Sequence, residues 1–335
     1  MNAKERLSGY IAGTPVDRRP NLTIVGSVVT QYSGIDLIAY CRDWRAMTES
    51  AVACARDLKL DYIQIATDLV REAEGFGSQI RFLPDNLPRV EKYALADIED
   101  VAKLKPLKAE NVQRMVELAQ AAQLAATLES DIDPMVLSVG PMTIAGNMRG
   151  VEDLMVDTFD EPEAVTDLLE LTCGLVESNI RMLAQAGVRC IYVADPVASL
   201  VSPKTYAALI LPLHRRIFGL METLGITGRL HMCGDTTAIL PYSSTCGAKI
   251  IDIDHAVDFS AALKAVEGRC ILNGNIDPVQ DVYACTPAHT KAAILAAAGK
   301  AGGARAMFMP GCELPTKTPL DNVRAIHEAL CEIGG

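Results

Sequence analysis

The sequence has no block of basic residues and no apolar run approaching the roughly 18 residues that span a bilayer. Its 31 Lys and Arg stand against 42 Asp and Glu, for a net charge of −11. A protein that tracks a phosphate backbone needs a positive footprint, so neither nucleic acid nor a membrane is an expected partner. The opening stretch MNAKERLSGYIAGTPVDRRP is charged throughout and lacks the apolar centre of a secretory signal. A cytoplasmic location is therefore expected. Also missing are a glycine fingerprint after the first apolar run, a flexible linker, and any repeat of solenoid period. The first absence disfavours a dinucleotide-binding sheet, and the other two favour one domain over residues 1–335.

Apolar residues are plentiful, at 50% of the chain. Runs at 22–26, 62–66, 135–139, 189–194, 228–232, 249–253, 270–273 and 305–309 read as eight strands, separated by helical patterns. Ser202-Pro203, Thr286-Pro287 and Thr318-Pro319 each offer a capping hydroxyl before a first-turn proline, and 163–186 keeps helical apolar spacing. Eight strands alternating with helices predict a (β/α)8 (TIM) barrel. Residues 1–20 read as a short N-terminal cap. Residues 67–133 read as an elaboration after the second strand, with a polar loop at 71–90 and helix-like segments at 96–104 and 110–128.

Ten cysteines in a chain without a signal segment read as reduced thiols, some of them ligands. Cys54, Cys173, Cys190, Cys270, Cys285 and Cys331 lie in apolar patterns and read as small buried hydrophobes. His231 and Cys233 differ: they end the fifth expected strand, two residues apart, and so point to the same side. Pro310-Gly311-Cys312-Glu313 follows the eighth strand and brings another sulfur to the same end, where barrels carry their chemistry. One imidazole and two thiolates with a fourth position open are the donors of a catalytic zinc. Such a set neutralises Zn2+, acidifies water poorly and suits a thiolate as fourth ligand, though an ether or phenol oxygen also fits. Cys246, Cys285, His214, His289 and His327 are poorer ligand candidates.

The segments VADPVASLVSPKTY (193–206), HMCGD (231–235), LNGNIDPV (272–279) and PGCELPTKTPLDNVRA (310–325) resemble the uroporphyrinogen decarboxylase superfamily. Within it they resemble the zinc-dependent corrinoid methyltransferases. VDRRP (16–20), SVVTQYSGI (27–35), EAEGFG (72–77) and SVGPMTIA (138–145) extend the likeness along nearly the whole chain. The resemblance implies a (β/α)8 barrel, zinc on His231, Cys233 and Cys312, and methyl transfer between a corrinoid and a small molecule. That molecule is a methyl donor such as a methoxy-aromatic, or a thiol acceptor such as coenzyme M. No Asp-x-His-x-x-Gly segment occurs, so the corrinoid is expected on a partner protein. Decarboxylase members carry an arginine-rich early loop for porphyrinogen carboxylates; here no arginine lies between Pro20 and Cys41. The alternatives are a decarboxylase-like enzyme and a zinc-binding accessory subunit without turnover.

Around the expected mouth, Asp195, Gln31 and Asn275 form the catalytic expectation, with a turn role open for Asp195 and Asn275. Asp254, His255 and Asp277 are expected to bind cofactor or substrate groups. Glu313 is a candidate fourth ligand, and Asp68, Glu72 and Glu74 are acidic candidates whose alternative is a solvated loop. Arg71, Arg149 and Lys317 are the cations near enough to meet a sulfonate.

Overall fold

The computed structural model describes residues 1–335. Seven strands form one parallel sheet in chain order: β1 (Ile63–Ile65), β2 (Pro134–Val139), β3 (Cys190–Ala194), β4 (Thr227–His231), β5 (Ile250–Asp252), β6 (Ile271–Asn273) and β7 (Ala306–Met307). Helices such as Pro162–Gln185, Leu211–Thr223 and Pro287–Ala301 cross between strands, and Leu320–Ile333 follows the last strand and packs on Pro287–Ala301. Nearly every strand residue is buried, as a parallel sheet covered on both faces requires. No helix is long and apolar enough to cross a membrane.

Strand alternation sorts the residues into two sets. Gln64, Leu137, Tyr192, Ala194 and His231 face the concave interior, where they line one cavity. Arg229 lies deeper on the same side, with its guanidinium 5.9 Å from the Tyr62 ring and 5.6 Å from the Tyr192 ring. Its Nη2 donates to Leu22 O at 3.1 Å and lies 3.2 Å from Met309 Sδ, so residues from separate strands meet around one buried side chain.

The first expected strand, 22–26, joins no ladder. Its residues are buried between the sheet's two edges, and side chains take the place of strand partners. Gln64 Oε1 accepts from Val25 N at 3.0 Å and Gly26 N at 3.2 Å, while Tyr62 Oη donates to Thr23 O at 2.8 Å. On the other side Leu314 N donates to Ile24 O at 3.1 Å. The segment thus fills the seam between β1 and the chain beyond β7, satisfying its polar groups without sheet pairing.

Three further expectations are corrected. Residues 71–90 are not simply a polar loop: they contain a helical turn (Arg71–Gly75) and a hairpin, Gln79–Arg81 with Arg89–Lys92. Both hairpin strands are mostly exposed and carry charge, so they show no apolar alternation to read. Thr318 does not cap the last helix. Pro319 occupies that position, and Thr318 Oγ1 donates to Pro315 O at 2.6 Å. Ser202 and Thr286 do cap their helices. Of the cysteines expected in the core, Cys331 is exposed, and Cys270 and Cys285 are half-buried.

Candidate metal centre

β4 delivers Arg229 and His231 to the interior at two-residue spacing, and Cys233 follows just beyond its end. The chain then turns at Gly234, whose φ is +82°. His231 Nε2 lies 3.2 Å from Cys233 Sγ, Cys233 Sγ lies 3.2 Å from Cys312 Sγ, and Cys312 Sγ lies 3.8 Å from His231 Nε2. Tetrahedral zinc sets its sulfurs about 3.8 Å apart and nitrogen about 3.6 Å from sulfur, given bonds of about 2.3 and 2.0–2.1 Å. The two nitrogen–sulfur spacings lie within about 0.4 Å of that geometry, while the sulfurs are about 0.6 Å closer than zinc would hold them. These three residues form a donor group able to hold a metal such as zinc.

What lies behind His231 was not anticipated. Its Nδ1 donates to Asp252 Oδ2 at 3.0 Å, leaving Nε2 for the thiol side. Asp252 in turn accepts from Arg229 Nε at 2.9 Å and from Asn273 Nδ2 at 2.8 Å. A carboxylate behind a ligating imidazole fixes its tautomer and ring angle and raises its basicity. The sequence does hold a signal for Asp252: in IIDID, two acids alternate within a buried apolar strand. For Arg229 the signal is its place two residues before His231, on the same side of β4.

The charges of the group are coupled. The Cys233 thiol's hydrogen bond lowers the Cys312 pKa; burial opposes it and His231 assists, for a net value of about 5. Cys233 moves up, because Cys312 beside it holds the negative charge and burial adds to the effect. Burial lowers the His231 pKa, but Asp252 and Cys312 outweigh it and raise the net value to about 9. Without metal, the group therefore holds a thiolate and a proton that a cation can displace.

Two close approaches bring Cys312 into place. A Cβ on Gly311 would sit 2.6 Å from His255 N and 2.8 Å from Asp254 Cα, so only glycine lets this loop lie against the loop after β5. A Cβ on Gly26 would sit 1.8 Å from Glu313 Oε1, and Gly26 has a φ of +48°. Glu313 Oε1 accepts from Ser27 N at 3.0 Å. Burial pushes the Glu313 carboxyl up to about 7, against the Ser27 N–H and with the help of Cys312.

Above the donors lies a cavity of about 110 Å3. His231, Cys233, Cys312 and Glu313 line it together with Ile24, Leu69, Leu87, Leu137, Tyr40, Tyr192 and Asp68. Burial alone would raise the Asp68 pKa, but Arg114 and Arg71 hold it below the usual carboxylate value.

The sequence profile of the uroporphyrinogen decarboxylase (URO-D) family matches residues 2–333. The chain belongs to that family. A methylcobamide:CoM methyltransferase of Methanosarcina acetivorans is 27% identical over 332 residues, spanning 97% of this chain and 96% of the relative. A methylated-thiol–coenzyme M methyltransferase of Methanosarcina mazei is 26% identical over 342 residues, spanning 99% and 90%. The solved structure of a methyltransferase from Methanosarcina mazei shares the fold, with a TM-score of 0.89 at 21% identity over 99% of both chains.

In this URO-D chain the other expected site residues are dispersed. Asp195 is buried one position past the inward Ala194, so it points outward among the helices. It accepts from Thr143 N and Thr143 Oγ1 at 2.7 Å each, at the start of helix Pro141–Arg149. Its Oδ2 is also 3.1 Å from His214 Nε2, whose Nδ1 is 2.9 Å from Tyr206 Oη. Gln31 Nε2 donates to Thr316 O at 2.8 Å and Thr318 O at 3.0 Å, tying the first seam to the Cys312 loop. Asn275 Nδ2 holds the loop after β5 through Val257 O at 2.5 Å and Asp254 O at 3.2 Å. Asp254 accepts from Gly234 N at 3.0 Å, which locks the turn after Cys233. His255 is half exposed at the rim, 2.6 Å from Asp254 and 3.6 Å from Asp277. Asp277 accepts from Val279 N at 2.7 Å and Gln280 N at 3.0 Å, starting a short helical turn.

The remaining acids, together with Arg71 and Arg149, are held in ion pairs. Glu72 pairs with Arg71 in the interior, and Glu74 pairs with Arg114. Arg149 is held by Asp157 at 2.8 Å and Asp153 at 3.2 Å, and neither it nor Lys317 lines the cavity.

Proposed function

We propose that the protein transfers a methyl group between a corrinoid carried by a partner protein and a small thiol or methyl ether held over His231, Cys233 and Cys312. The observation that carries this reading is the convergence of those three donors beneath the cavity, with Asp252 behind His231. Full-length similarity to a methylcobamide:CoM methyltransferase supports it. The same similarity supports a closed eight-stranded reading of the barrel, with 22–26 as its eighth stave.

Bound zinc would supply a Lewis acid that favours the deprotonated form of a substrate thiol or polarises an ether oxygen. The protein's own residues do the rest. Asp252 holds the His231 Nδ1 proton, so Nε2 is the nitrogen turned toward the thiols and the one that would bind metal once its own proton is displaced. Arg229 keeps Asp252 anionic: burial would raise its pKa, and the guanidinium outweighs that. Leu69, Leu87 and Leu137 exclude water from one wall. Glu313, whose carboxyl pKa is pushed up by burial, lines the same cavity and can accept a thiol proton on its carboxyl oxygen. Methylation of a thiol forms the S–C bond as the bond to the corrinoid breaks, and the electron pair stays with the corrinoid.

A porphyrinogen decarboxylase needs cations for many carboxylates, and the guanidiniums around this cavity are already paired with acids.

The test follows the visible spectrum of cobalamin, mixed without oxygen with the zinc-loaded protein. One arm starts from the methylated corrinoid with thiols, the other from the reduced corrinoid with methyl ethers, methylamines and methanol. Loss of the methyl–cobalt spectrum in the first arm, or its gain in the second, is the expected result, abolished by Cys312→Ser. A purified protein that takes up no metal would overturn the proposal.

A further inference from the structure

We infer that the small molecule accepted by this cavity is compact, a thiol or methyl compound with no anionic group at its far end. The inference rests on the methyl-transfer reading and adds the substrate's size and charge.

Size comes first. At roughly 30 Å3 per water-sized group, a cavity of about 110 Å3 holds about four such groups, short of a sugar or a nucleotide. Charge is the sharper criterion. Away from the donors, Ile24, Leu69, Leu87 and Leu137 give the lining its apolar patches. The ionisable side chains that face the cavity beyond the donors and the tyrosines are carboxyl groups, Asp68 and Glu313.

The guanidiniums behind this wall are each ion-paired and none lines the cavity, although the buried Arg71 Nε has no hydrogen-bond partner. Arg114 pairs with both Asp68 and Glu74, the latter at 3.0 Å, and Arg71 pairs with Glu72 at 2.7 Å. Three carboxylates against two guanidiniums leave this flank negative by one, before Glu313 is counted. A third guanidinium, Arg229, is fully buried below and bound to Asp252.

A sulfonate or carboxylate on the substrate would lose its water here and meet like charge, with no cation to pair with. A cationic tail would instead meet the Glu313 carboxyl on the lining. Asp68 is occupied by Arg114 and by Val70 N at 3.1 Å, and the remaining wall is largely apolar. An uncharged tail meets no such obstacle, and selectivity of this kind arises as much from what the wall repels as from what it attracts.

The experiment is a binding titration of the full chain carrying Co(II) in place of zinc, read by the thiolate-to-cobalt absorption. The probes share a two-carbon scaffold. Ethanethiol and 2-mercaptoethanol are uncharged, 2-mercaptoethanesulfonate is anionic and 2-aminoethanethiol is cationic, each corrected for its own thiol pKa. The sulfonate is expected to bind about tenfold or more weakly than the uncharged pair, and the amine no more weakly than they do. Equal or tighter binding of the sulfonate, or an amine excluded as strongly as the sulfonate, overturns the inference and leaves the methyl-transfer reading standing. If no probe perturbs the cobalt spectrum, and neither dimethyl ether nor dimethyl sulfide does, both fail together. Leu87→Arg adds a cation at the half-buried edge of the cavity and is expected to close the gap for the sulfonate selectively. An unchanged gap in that variant would show that wall charge does not set the preference.

Discussion

His231 owes its orientation to Asp252, and Asp252 owes its charge to Arg229, so a change one contact away from the donors reaches the metal. Asp252→Asn removes the anion behind the imidazole and leaves Arg229 buried without its partner. Metal affinity is expected to fall about 10–100-fold, measured by competition with a chromogenic chelator. Stability is expected to fall by about 3–5 kcal/mol in urea, since a buried guanidinium is left uncompensated. Gly311→Ala acts by a different route. The added methyl group meets the backbone at His255 and Asp254, so the Cys312 loop must back away. Faster zinc loss to the chelator with an unchanged far-ultraviolet spectrum is the expected result. At this scale the donors were legible because they sit at strand ends with period-two spacing. Asp195 was not, because a one-residue difference turns it to the outer face, and the sequence does not mark where β3 ends.

Alternation also sets what could be read at the level of elements. Seven of the eight expected strands form the parallel sheet, because buried apolar runs between helices admit few other structures. The stretch 22–26 has the same composition but finds side-chain partners in place of a ladder. Composition does not distinguish those two ways of satisfying a backbone. The charged hairpin after Arg71–Gly75 shows the opposite case: pairing formed with no apolar pattern to announce it. The Asp68–Arg114 contact ties the end of β1 to helix Gln113–Leu128 and gives a pH test. Asp68 has a folded pKa below the ordinary 3.8, because its guanidinium neighbours outweigh burial. Its contribution is therefore fully present above about pH 4 and is lost as pH falls through the lower folded value. Asp68→Asn is expected to cost about 1.5–3 kcal/mol at pH 7 and to flatten the acid limb of a melting-temperature profile.

For the whole molecule, a metal held by His231, Cys233 and Cys312 would join the end of β4 to the loop after β7. Because the donors converge in the folded chain, binding and folding are linked. At free zinc near 1,000 times its Kd the linkage is about 4 kcal/mol, so chelation is expected to shift the urea midpoint of the wild type and leave Cys312→Ser unmoved. Cys312 and Glu313 also adjoin Leu314, which reaches Ile24, while Glu313 itself reaches Ser27. Seating the first apolar segment and completing the donor group are therefore contacts of one short stretch near the C-terminal end. On a ribosome that stretch emerges late, so a nascent chain would hold its opening segment without its final neighbours and its first two metal donors without the third. Full loading with metal would then wait for that stretch to clear the ribosome.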